Sequence, residues 1–173
     1  IRVRKLGDVL VETGHITATL LFLIIAASMY SRMLGISGLP TELGRVIGDM
    51  NASFAQLMIM YVIILIILGT IIDSVSIMLI TVPLFLVVLA PFDVDLVWFG
   101  VVTVIATEIG LLTPPLGLAV YVIKSTLVQK DISLADIFIG AAPFALVMLV
   151  VLILVMIFPE IPLALVELKR SLR

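Results

Sequence analysis

Apolar residues run along this chain in long blocks, and the polar positions between them are few and grouped. A helix that crosses a bilayer needs ~20 mostly apolar residues at ~1.5 Å rise each. The first block, Ile16 to Leu34, meets that length and predicts a span. Tyr30 and Arg32 lie near its end, where Tyr anchors at the interface and Arg snorkels. In the connection "GISGLPTELGRVIGDMNAS", Gly38, Pro40 and Thr41 read as a turn and cap before a short amphipathic helix, Glu42 to Met50. Phe54 to Ala90 is apolar almost throughout but is interrupted at "LGTIIDSVS". That pattern fits either two full spans joined at Asp73 or a re-entrant hairpin with its tip at membrane depth; the "TVP" of Thr81 to Pro83 would kink or thin the second arm. After "PFDVDLVWFG", with Trp98 read as an interfacial anchor, Leu96 to Val128 is too long for one straight span. A polar loop from Lys124 to Asp136 follows, with Ser133 as N-cap and Asp136 at its third position. A last span, about Ile137 to Phe158, ends at Pro159 and Pro162 before the charged "ELKRSLR".

Composition settles the class. The chain has 173 residues, 63% hydrophobic and 13% charged; a soluble chain is ~45–50% apolar and ~25% charged. Too little polar surface would remain to cover such a core, so the reading is an all-α polytopic membrane protein. The net charge of −2 and the lack of a basic face argue against nucleic acid. With no cysteine, disulfides and thiolate chemistry are excluded. Neither a serine-nucleophile motif nor a phosphate loop nor a metal-binding His pair is present, and an enzyme is not expected. His15 reads as a solvated side chain and the scattered Met residues as packing. The basic clusters (Arg2, Arg4, Lys5; Lys124, Lys130; Lys169, Arg170, Arg173) favour a cytoplasmic N-terminus and 124–136 loop, with the third cluster against the rule. The opening "IRVRKLGDVLVETGH" is no signal peptide, since Asp8 and Glu12 interrupt its basic head. The chain reads as the C-terminal part of something longer.

The two interruptions hold the candidate chemistry. In "TEIGLLTPPLGLAV", each proline lacks the amide that would bond the carbonyl four residues back. Pro114 should therefore free the carbonyl of Gly110, and Pro115 that of Leu111. Bare carbonyls at membrane depth persist only inside protein or at a wet cavity, and they are ligands for a hard cation. Thr113 adds a hydroxyl, and Gly117 lets the chain turn into a second half-helix whose N-terminus favours an anion. A packing kink is the competing reading. Glu108 lies in the same block; an acid inside the membrane is costly and points to a functional role such as coupling, with a structural hydrogen bond to a neighbouring helix as the competing reading. At the other interruption, Gly69, Thr70, Asp73 and Ser74 form an oxygen-rich stretch. It reads either as a hairpin tip that supplies ligands or as a plain solvated loop. Asp73 with Glu108 could imitate an acid pair for proteolysis, but no other residue supports that.

"LGTIIDSVSIMLITVPLFLVV" followed by "VDLVWFGVVTVIATEIGLLTPPLGLAVYVI" resembles the large permease subunit of TRAP (tripartite ATP-independent periplasmic) transporters. The order is shared: Gly-x-x-x-Asp, a Thr-x-Pro arm, an acidic loop with Trp-Phe-Gly, and Glu-Ile-Gly-Leu-x-Thr-Pro-Pro-x-Gly. Leu116, Ala119 and Val120 depart from residues common in the family. The resemblance implies the second inverted repeat of an elevator-type secondary transporter, with a re-entrant hairpin within 54–90 and a broken helix within 96–128. It implies sodium as coupling ion, bound between the Gly69–Ser74 tip and the Gly110–Gly117 break, with no other cofactor. The implied cargo is an organic acid: a dicarboxylate, a keto acid or a sialic acid. Implied partners are a small four-helix membrane subunit, a periplasmic binding protein, the bilayer of a bacterial or archaeal inner membrane and the N-terminal half of the same subunit. A divalent-anion/sodium symporter-like permease and a non-transporting truncated remnant are the alternatives.

Overall fold

The computed structural model describes residues 3–49, 53–127 and 131–171, and within them the chain is helical, with no strand. Expectations that rest on Met50, Val128, Lys130, Arg2 and Arg173 lie outside the described residues. Helix α1 spans Val3–Ile36 and α2 spans Leu39–Asp49. Helices α3 (Phe54–Gly69) and α4 (Ser74–Leu89) flank the first interruption. A 3₁₀ turn at Ala90–Phe92 leads to α5 (Leu96–Leu112), and α6 (Leu118–Thr126) follows the second interruption. The chain continues with α7 (Leu134–Ile157) and α8 (Glu160–Ser171).

Several boundaries differ from the sequence reading. Helix α1 begins well before Ile16: no proline interrupts Val3 to His15, and the helix runs through Gly7 and Gly14. Helix α2 begins at Leu39, not Glu42: Gly38 takes φ +76° and the Leu39 amide donates to Ser37 Oγ at 3.2 Å, so the turn falls ahead of Thr41. Pro162 does not leave the tail unstructured. It stands in the first turn of α8, where its missing amide would have had no partner anyway. Pro83 likewise sits within α4 without ending it. Ser133 caps α7 as expected: its Oγ accepts the Asp136 amide at 3.1 Å, and Asp136 Oδ2 accepts the Ser133 amide at 2.8 Å.

Among the described residues, three helices are long and apolar enough to cross a membrane: Leu6–Ile36, Ser74–Phe92 (α4 with the 3₁₀ turn) and Leu134–Ile157. Their surfaces are lined with exposed large apolar side chains, including Phe22, Ile25, Phe144 and Val147. Lipid is as apolar as these residues, so a membrane helix is held by close packing rather than by escape from water. That packing is concentrated where α3 meets α5. Leu65, Val102 and Ala106 are fully enclosed there. Tyr61 stacks on Phe85 of α4 at 4.1 Å and on Phe99 of α5 at 5.1 Å between ring centroids. Such pairs contribute about 0.5–1.5 kcal/mol each beyond burial. Helix α7 covers another side of α5, and α1 packs against α4. Trp98 is not an interfacial anchor. It is only 4% exposed, and its Nε1 donates to the Val155 carbonyl at 2.7 Å, tying the start of α5 to the end of α7.

Candidate functional site

The first interruption is a four-residue stop and restart. The Thr70 amide bonds back to the Ile66 and Ile67 carbonyls at 3.2 Å, and the Thr70 hydroxyl donates to the Ile67 carbonyl at 2.8 Å, closing α3. Ile71 and Ile72 both donate to the Leu68 carbonyl at 2.9 Å. Asp73 restarts the helix: its Oδ1 accepts the Ser76 amide at 3.0 Å as N-cap of α4. Thr70 is buried, whereas Asp73 is exposed and Ser74 half-buried.

The second interruption keeps the break and alters one detail. Pro114 was expected to free the Gly110 carbonyl. Instead the last turn of α5 tightens, and the Thr113 amide donates to Gly110 O at 2.9 Å. Helix ends commonly satisfy their last carbonyls by such shorter-range bonds. The Leu111 carbonyl receives no backbone amide among the described residues. The Thr113 hydroxyl donates to the Ile109 carbonyl at 2.6 Å, which leaves its oxygen lone pairs available. Pro114 and Pro115 are exposed and joined by a cis bond. Gly117 then starts α6 at φ +51°, and the Leu111 carbonyl oxygen lies 3.2 Å from where a Cβ would stand, with the Phe138 ring closer still at 2.7 Å. Both the left-handed conformation and the crowding require glycine there. The Val120 and Tyr121 amides reach back to the Gly117 carbonyl, and α6 runs on from this point.

The two interruptions meet. The Gly117 amide donates to the Thr70 carbonyl at 3.0 Å. Gly69 and Gly110 lie backbone to backbone where α3 crosses α5. Gly69, Thr70, Gly110, Leu111, Thr113 and Gly117 thus belong to one neighbourhood rich in backbone oxygens. Asp73 commits its carboxylate to the Ser76 amide rather than to Glu108, so no acid pair forms. Glu108 is half-buried and makes no hydrogen bond or ion pair among the described residues. Among those residues no cluster of His, Asp and Glu is set to hold a metal. Beside the break, a cavity of about 560 Å³ is lined by Ile66, Ile109, Leu112, Thr113, Phe138 and other residues. Thr113 is the one polar side chain lining it. Such walls suit hydrocarbon and would leave a carboxylate without partners.

The sequence reading missed a buried polar ladder behind this neighbourhood. Tyr61 Oη and Thr103 Oγ1 are 3.1 Å apart, and Thr107 Oγ1 donates to the carbonyls of Thr103 at 3.1 Å and Val104 at 2.9 Å. The signal was present: Thr103 and Thr107 are spaced i, i+4 on one face of an apolar helix.

Long apolar helices, with two interruptions joined to each other, define an all-helical polytopic membrane protein. The description "Tripartite ATP-independent periplasmic transporter, DctM component" matches residues 1–161, and the chain belongs to that family. A TRAP transporter large permease protein of Haemophilus influenzae is 32% identical over 91% of this chain and 38% of its own length. The C4-dicarboxylate TRAP transporter large permease protein DctM of Pseudomonas aeruginosa is 29% identical over 95% of this chain and 38% of its own. The sialic acid TRAP transporter large permease protein SiaM of Vibrio cholerae is 30% identical over 93% and 37%. The chain therefore spans little more than a third of the length of these three relatives. These relatives are transport permeases, not enzymes.

Proposed function

We propose that this chain supplies one ion- and substrate-handling half of a TRAP-type large permease, which imports an organic acid with sodium as the coupling ion. The observation that carries the reading is the bond from the Gly117 amide to the Thr70 carbonyl, because it joins the two interruptions into one oxygen-lined neighbourhood. The Leu111 carbonyl, the Thr113 hydroxyl oxygen and the turn at Ile71–Asp73 offer hard oxygen ligands of the kind sodium takes. The N-terminus of α6 offers a positive dipole end to a carboxylate. Helix α3 is 16 residues, ~24 Å by helix rise, against a hydrocarbon core of ~30 Å. That length supports a re-entrant hairpin with Gly69 to Ser74 at its tip, within the second of two inverted repeats that move as an elevator.

The relatives named for C4-dicarboxylates and sialic acid support an organic acid as cargo. The N-terminal half of the same subunit, a small four-helix membrane subunit and a periplasmic binding protein complete the assembly in the inner membrane. The test is uptake of radiolabelled organic acids into proteoliposomes holding the complete permease and its binding protein. Uptake should need an inward sodium gradient and stop when sodium is replaced by choline. Equal uptake in choline would sink the sodium assignment.

A further inference from the structure

The Gly69–Gly110 contact is closer than any substituted residue would tolerate. A Cβ on Gly69 would stand 2.8 Å from the Gly110 Cα and 2.8 Å from the Thr107 carbonyl oxygen. A Cβ on Gly110 would stand 2.6 Å from the Gly69 Cα and 2.6 Å from the Ile66 carbonyl oxygen. These obstacles are all backbone, so no side chain can swing aside. Cβ atoms essentially never come within 3.0 Å and ordinary contact begins at 3.4 Å, so from 2.8 Å a methyl group on Gly69 parts α3 from α5 by roughly 0.2 to 0.6 Å.

The place of this crossing matters more than its tightness. Gly69 immediately precedes Thr70, whose carbonyl accepts the Gly117 amide at 3.0 Å. Gly110 carries the carbonyl that accepts the Thr113 amide at 2.9 Å and so fixes where α5 stops. Any separation at the crossing is passed directly to the tip and to the break. The rest of the α3–α5 seam is built from side chains, among them Tyr61, Leu65 and Thr103, and it lies further from both interruptions. Gly100, earlier on α5, has open space around it and makes no such approach.

We infer that the Gly69–Gly110 crossing is the positioning element of the site: it sets the separation of tip and break, and with it the sodium affinity of the oxygens they present. The Tyr61–Thr103 contact on the same seam sets stability alone. Both glycines act through the backbone they hold in place, not as ligands. The inference rests on the sodium-coupled reading above.

The experiment compares Gly69→Ala, Thr103→Val and Gly100→Ala in the complete permease in proteoliposomes. It reads the thermal unfolding midpoint and the sodium concentration for half-maximal uptake. Gly69→Ala and Thr103→Val should both lower the midpoint. Only Gly69→Ala should raise the half-maximal sodium concentration, by roughly tenfold, as expected for a sub-ångström displacement of preorganised groups. Gly100→Ala should change neither. An unchanged sodium requirement in Gly69→Ala, or an equal rise in Thr103→Val, overturns the inference. Should Gly69→Ala fail to fold, hydrogen exchange at the Gly117 amide of the parent protein decides. Saturating sodium should slow exchange at Gly117 but not along the Tyr61–Thr103 seam; equal exchange with and without sodium overturns the inference. A parent whose uptake ignores sodium overturns the functional reading itself, before any variant is compared.

Discussion

Asp73 shows how one side chain can be separated into its parts. Its carboxylate caps α4 through the Ser76 amide. Asn caps a helix about as well as Asp, whereas Ala forfeits about 1 kcal/mol. Asp73→Asn should therefore leave thermal stability unchanged, and Asp73→Ala should lower it. If the negative charge also serves sodium, Asp73→Asn should reduce sodium-dependent uptake at full stability; normal uptake in Asp73→Asn would confine the residue to capping. Residues whose role is local were legible in the sequence. Gly117 and the two prolines announce a turn by their own covalent chemistry, and the Ser133–Asp136 cap is written in four consecutive positions. The Gly69–Gly110 crossing was not legible as a crossing, because a glycine's neighbour across a helix interface lies in a distant segment. The same holds for Tyr61 and Thr103, which are 42 positions apart.

Among the elements, the α5–α6 break depends on two missing amides. Replacing Pro114 and Pro115 together by Ala restores both donors and lets α5 continue past Leu112. Helical content by circular dichroism should rise, and uptake should be lost as the Gly117–Thr70 bond is pulled apart; retained uptake would mean the break is not needed. The start of α7 offers a milder case. Ser133→Ala removes the hydroxyl that accepts the Asp136 amide, at a cost of roughly 1 kcal/mol. Exchange of the amides from Leu134 to Ile137 should speed up while the middle of α7 stays protected. The helices and interruptions could be read from the sequence because apolar blocks and helix breakers alternate so plainly. Their ends were less legible. Helix α1 continued into polar sequence through Gly7 and Gly14, with no proline to stop it, and α8 formed despite Pro162, because a first-turn proline costs a helix little.

In the whole molecule, the class followed from composition, but the packing that sets the site in place did not. Trp98 illustrates the difference. Tryptophan near the end of an apolar block commonly marks the membrane interface, yet here it is buried between α5 and α7. It is the chain's single tryptophan, so fluorescence of the isolated chain reads this junction directly. Emission should be blue-shifted and poorly quenched by iodide; strong quenching would place the indole at the surface. No pattern of apolar positions specifies which helices pair, since α1, α4 and α7 are all apolar enough to face lipid.

The length of α1 has a mechanical consequence. At ~1.5 Å per residue its 34 residues extend for roughly 50 Å, while the hydrocarbon core is ~30 Å thick. The stretch from Ile16 to Leu34 suffices to span that core. The preceding turns, with Asp8, Glu12 and His15 all exposed, add roughly 20 Å of unbroken rod. With no hinge between the two parts, a tilt of the buried portion swings the outer tip through a larger arc. Any tilt of the Ile16–Leu34 stretch would carry the first turns with it as one body.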